Sequence, residues 1–134
     1  HEGASIKNDV AVPVSAVPAF IAAASAAVEA ACPGVRVCAF GHIGDGNIHF
    51  NLSQPPGVPA AQFLARWDEL AGLVNAQVAA YRGSVSAEHG IGLLKRDALV
   101  RHEPAVAIDL MRRIKVALDP AERCNPGKLL PPGE

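Results

Sequence analysis

Two histidines flank an Asp-Gly pair in AFGHIGDGNIHFN, residues 39–51 of a 134-residue chain that has five histidines in all. Asp-Gly between two β-rich runs is hairpin chemistry, because glycine takes the positive φ of a tight turn without strain. If Asp45 and Gly46 are the central turn residues, cross-strand partners have numbers with the same sum as theirs, and His42 faces His49. Opposed side chains have Cβ atoms about 4.5–5.5 Å apart, close enough for two imidazoles to hold one metal ion. The same register puts Arg36, Cys38, Phe40, His42, Asn47, His49, Asn51 and Ser53 on one face. Val37, Ala39, Ile43, Ile48, Phe50 and Leu52 fall on the other. A third ligand is offered by SVSAEHGIG, where alternation puts Glu88 on the same side as Ser84 and Ser86. Two histidines and one glutamate form the ligand set of a catalytic zinc, which leaves coordination positions open for water or substrate. His89 is then a candidate general base, provided the strand ends at that point, as Gly90 and Gly92 allow. Opposed histidines and a Glu-His pair also occur as ordinary polar surface, and Lys7 with Asp9 reads by default as a solvated strand edge.

The elements that must position these groups follow from periodicity. SIKNDVAV, residues 5–12, alternates apolar and polar with one break at Asn8 and reads as a strand ending at Pro13. Ser15 is expected to cap a helix with the stripe Val17, Ile21, Ala24, Val28 and Ala31, stopped by Pro33-Gly34. The two hairpin strands follow. Phe63, Trp67, Leu70, Val74, Val78 and Tyr81 then predict one helix over 60–82, with Gly83 placed to end it. A short strand is expected over 84–88, a short helix over 93–100, and a last helix from Pro104 to Asp119. This order predicts an α+β fold of the ferredoxin-like, split βαβ kind: an antiparallel sheet with helices on one face, plus a C-terminal helix. No repeat, linker or low-complexity segment interrupts it, so residues 1–134 read as one domain.

Composition narrows the partners. The formal net charge is −1, so no basic field is available to hold phosphates, and nucleic acid is not an expected partner. Three widely spaced cysteines without a C-x-x-C fit a reducing compartment, and the expected location is cytoplasmic. The run 16–31 is alanine-rich and contains Pro18 and Glu29, which reads as too weakly apolar to span a bilayer.

Taken together, SIKNDVAVP, FGHIGDGNIHFN, SAEHGIGLLK and NPGKLL resemble, in this order and over nearly the whole chain, the C-terminal domain of the FAD-linked oxidases. That group includes D-2-hydroxyglutarate dehydrogenase, D-lactate dehydrogenase and the flavin subunit of glycolate oxidase. The resemblance implies a substrate- and metal-binding cap domain that covers the FAD of a separate N-terminal domain, where a D-2-hydroxy acid is oxidised with hydride transfer to the flavin. It implies that His42, His49 and Glu88 bind a divalent metal, zinc, and that His89 is the base. Lys7 would pair with the substrate carboxylate, Asn47 would position the substrate, and Asn125 and Lys128 would belong to the segment returning towards the flavin domain. An electron acceptor is implied as a further partner: a quinone, an electron-transfer flavoprotein or a cytochrome. Alone, the chain is expected to bind no FAD and turn over no substrate. Two other readings stay open at this point: a ferredoxin-like domain that binds metal without redox chemistry, and a module that forms a homodimer through the open sheet face.

Overall fold

The computed structural model describes residues 3–131. These residues gather into two compact units that divide between His89 and Gly90, where the sequence shows no linker.

The first unit is built on a three-stranded antiparallel sheet of β1 (Ser5–Ala11), β2 (Arg36–Phe40) and β3 (Asn47–Ser53), in the order β1-β3-β2. Its apolar face carries Ile6, Val10, Ile48, Phe50 and Leu52, each at most 1% exposed. Against it lie α1 (Val17–Ala31), which buries Val17, Phe20, Ala24 and Val28, and α3 (Trp67–Ala80), which buries Leu70, Val74 and Val78. Phe20 meets the edges of Phe50 and Tyr81 at centroid distances of 5.8 and 6.1 Å, which ties sheet and helices together. Asn8, the break in the β1 alternation, is buried on this apolar side, and its amide donates to the Phe50 carbonyl at 3.0 Å. The polar residue is therefore accommodated by a hydrogen bond rather than by exposure.

The predicted α+β architecture holds, with several local corrections. The expected strand over 84–88 shrinks to a single bridge between Ser84 and Ala11, which still occupies the fourth position of the split βαβ sheet, beside β1. The helix expected over 60–82 is broken into α2 (Ala60–Leu64) and α3. The break coincides with Arg66, whose guanidinium donates to the Ala31 carbonyl at the end of α1 and to Glu69. Ser15 caps nothing: it lies inside a 3-10 turn, Val14–Ala16, and Ala16 takes the cap position of α1 without a side-chain bond. The left-handed residue after α3 is Arg82, not Gly83. The Arg82 amide donates to Ala79 and that of Gly83 to Val78, a Schellman closure. Gly83 is needed for another reason, since a Cβ there would stand 2.2 Å from the Ala11 carbonyl oxygen. By length and composition, Val14–Ala31 is apolar enough to cross a membrane, with mean hydropathy 1.6, contrary to the reading of 16–31. Here its stripe fills the core of the first unit.

The second unit contains α4 (Arg96–His102), shifted three residues from the expected 93, and α5 (Ala105–Leu118), as expected. Leu99, Ile108 and Leu130 form its core, with Ile91 and Met111 packed against them.

Candidate metal and substrate site

The polar sheet face is organised by register. Strand β3 lies in the middle of the three, so its outward residues Asn51 and His49 have neighbours on both sides: Lys7, Asn51 and Cys38 make one row, and Asp9, His49 and Phe40 the next. His49 therefore faces Phe40, not His42 as the two-residue turn implied. The connection is longer, spanning residues 41–46, and contains a 3-10 turn, Ile43–Asp45. The His42 carbonyl accepts the amides of Asp45 and Asn47. Gly46 closes the loop with φ +70°, and a Cβ there would stand 2.0 Å from the Val12 carbonyl oxygen. Because the register differs by two residues, every strand residue keeps the face expected for it, while His42 leaves the strand and becomes an exposed loop residue.

His49 gains other neighbours. Its Nε2 lies 3.1 Å from Glu88 Oε1 and its Nδ1 lies 3.5 Å from Asp9 Oδ1. Its ring is flanked by Phe40, at a centroid distance of 5.2 Å, and by His89, stacked at 5.8 Å. Asp9, Glu88 and His89 meet because the chain beyond Ser84 leaves the ladder. Asp9 Oδ2 accepts the amides of Glu88 at 3.0 Å and of His89 at 2.9 Å, and the Asp9 carbonyl accepts that of Ala87 at 3.3 Å. An anionic acceptor competes well against a ladder carbonyl for those N–H groups, since charge-assisted bonds are roughly twice as strong. One ligand atom from each of Asp9, His49, Glu88 and His89 lies within 4.8 Å of the other three. Two carboxylates and two imidazoles converging in this way suit a divalent cation, which offsets the repulsion between the carboxylates and takes both donor types.

Of the residues singled out in the sequence, the structure brings His49, Glu88 and His89 together, and His42 is not among the converging groups. Lys7 is exposed on the same face. Asn47 is only 6% exposed, and its Oδ1 has no hydrogen-bond partner among the described residues. Asn125 and Lys128 are exposed in the second unit, where Asn125 adopts φ +49° and the Lys128 ammonium donates to the Pro126 carbonyl. The sequence reading missed Asp9. It is 3% exposed rather than a solvated edge, and its odd position beside Lys7 in the β1 alternation already placed it on the polar face.

Comparison with known proteins agrees with the motifs. Residues 1–129 match the family described as FAD linked oxidases, C-terminal domain. The chain is 47% identical over 123 residues to D-2-hydroxyglutarate dehydrogenase of Xanthomonas citri pv. viticola, covering 92% of this chain and 26% of that protein. It is 39% identical over the same shares to the protein of that name from Stutzerimonas stutzeri. To the mitochondrial one from Danio rerio it is 34% identical, over 98% of this chain and 23% of that protein. The chain thus spans about a quarter of the length of these relatives. With the order of its motifs, its antiparallel sheet and a family match over nearly all of its length, the chain belongs to the C-terminal domain family of the FAD linked oxidases.

Proposed function

We propose that this domain holds a D-2-hydroxy acid and a divalent metal, zinc, on the polar face of its sheet, as part of a longer FAD-dependent dehydrogenase that oxidises the acid to the 2-oxo acid. The observation that carries this reading is the convergence of two imidazoles and two carboxylates within 4.8 Å on the sheet face that also carries Lys7 and Asn51. His49 and Glu88 would hold the metal, joined by His42 from the loop 41–46 as the family motif implies. When bound, the metal makes the substrate hydroxyl more acidic and the flavin accepts the hydride from the α-carbon.

The remaining work belongs to this chain's side chains. His89 takes the hydroxyl proton. Its Nδ1 faces Asp9 Oδ2 at 3.6 Å, which leaves Nε2 for the substrate, and its 65% exposure gives the substrate access. Lys7, exposed one row along the same face, supplies a charge-assisted contact to the carboxylate. Asn47, at the start of β3, would position the substrate, as the family motif implies. The proton goes to His89 and the hydride would go to the oxidised flavin, so the alcohol becomes a ketone at the expense of one flavin, which the electron acceptor would reoxidise.

The test is the zinc content of the 134-residue chain after dialysis against zinc, by mass spectrometry, for wild type, His42→Ala and His49→Ala. One zinc per chain, lost in both variants, is expected. Zinc retained without His42 but lost without His49 would confine the centre to the groups that converge around Asp9. Wild type without zinc would overturn the reading.

A further inference from the structure

Asp9 occupies a place where an aspartate is costly. It lies in a strand at 3% exposure, and an ionised carboxylate withdrawn from water is tolerated only when paired or hydrogen-bonded. Neither the family match nor the motif reading gives it a role.

The geometry points to Asp9 as the positioning residue of the metal and substrate site, the anchor that sets the turn bearing Glu88 and His89 against His49 and fixes the orientation of the His49 ring. This inference rests on the reading given above. Ala87, Glu88 and His89 all donate backbone amides to Asp9, the first to its carbonyl and the other two to Oδ2. Nearly 80 residues of chain separate these partners, and together with the bridge between Ala11 and Ser84 the contact joins the end of the first unit to its first strand. Oδ2 is committed to two N–H donors and Oδ1 faces the His49 ring, so Asp9 lends its charge to the site while holding the other groups in place. Oδ1 faces His49 Nδ1 at 3.5 Å, on the opposite side of the ring from Nε2, which points at Glu88. A carboxylate on this side of the ring favours the proton at Nδ1 and leaves the Nε2 lone pair for a metal, the arrangement by which partners behind ligating histidines fix their tautomer and orientation. Asparagine has the same size, but it has only one oxygen for both tasks and would present an N–H₂ to either the amides or the ring.

The experiment uses the whole 134-residue chain, wild type and Asp9→Asn, without metal and then with zinc alone as the probe. Long-range ¹H–¹⁵N spectra at a pH where the imidazole is neutral should show His49 protonated at Nδ1 in wild type and in mixed tautomers in D9N. Hydrogen exchange at the Glu88 and His89 amides should accelerate in D9N while the Phe50 and Leu52 amides keep their protection, and zinc affinity against a competing chelator should fall by about 10–100-fold. A wild-type His49 protonated at Nε2 overturns the inference without any substitution, so it stays decidable if D9N does not fold. Unchanged zinc affinity in D9N overturns it as well. If wild type binds no zinc yet the tautomer and the exchange change as stated, the metal reading fails while Asp9 still holds the turn.

Discussion

Two aspartates, one in each unit, accept hydrogen bonds from a pair of consecutive backbone amides: Asp9 from Glu88 and His89, and Asp119 from Arg123 and Cys124. The device is the same and the outcome differs. Asp119 ends α5, and Lys115, one helical turn back, donates to it and also to the Cys124 carbonyl. Its charge is answered within a few residues, and the result is a stop for a helix. Asp9 draws its partners from the far end of the first unit and gathers a second carboxylate and two imidazoles around it. A carboxylate closed by a local lysine stabilises a chain turn; one that converges with further ligand groups builds a place for a cation.

The sharpest way to break this comparison is at the group that should do chemistry. His89→Asn in the longer flavoenzyme is expected to lower kcat by about 10²–10⁴-fold, the usual contribution of a positioned base. Zinc content should be unchanged, since His49 and Glu88 remain. If His89→Asn loses zinc along with turnover, His89 is a ligand and the base lies elsewhere. Substitution of Asp119 is expected to leave turnover alone.

Gly83→Ala probes how the Asp9 cluster is delivered. A Cβ at this position would meet the Ala11 carbonyl oxygen at 2.2 Å and Val12 Cγ1 at 2.9 Å, so the bridge between Ala11 and Ser84 must open. The expected cost is about 1–3 kcal/mol, the range for overpacking a tight contact, measured by urea denaturation. Because the chain runs from this bridge to Glu88, zinc affinity should fall with stability. Stability lost without any change in zinc affinity would show that Asp9 alone sets the turn.

The faces of the sheet were legible because strand alternation is a strict two-residue period, and even an error in the hairpin preserved them. A loop over 41–46 in place of a two-residue turn moves the register by two, which keeps His49 on the polar side and costs only the partnership with His42. The length of that loop is set by tertiary contact, as Gly46 fits against Val12, and no local pattern announces it. The stripe from Phe63 to Tyr81 was legible for the same reason in part: Phe63, Leu70, Val74 and Val78 are buried on either side of the break at Arg66, whereas Trp67, the first residue after it, is 41% exposed. Asp9 was misread because a charged residue in an alternating strand ordinarily points to solvent. What buries it is a segment some 80 residues away, and sequence spacing holds no record of that distance.

The smallest expected effect lies at Asp119. The Lys115 hydrogen bond, then the amides of Cys124 and Arg123, hold its carboxyl down at about 2, below the ordinary 3.8. A group whose pKa is depressed by folding lends stability that is complete above the unfolded value and disappears as pH falls through the folded one. Stability of the second unit should therefore begin to decline just below pH 4, and Asp119's share should be gone below about pH 2. Asp119→Asn should remove that part of the acid limb while leaving the neutral-pH fold in place. The change is small because solvent screens an ion pair at the surface. Carboxyl chemical shifts followed from pH 5 to below 2 would report the titration directly. An Asp119 that titrates near 3.8 would mean that Lys115 does not close its charge, and the contrast with Asp9 would lose one of its two sides.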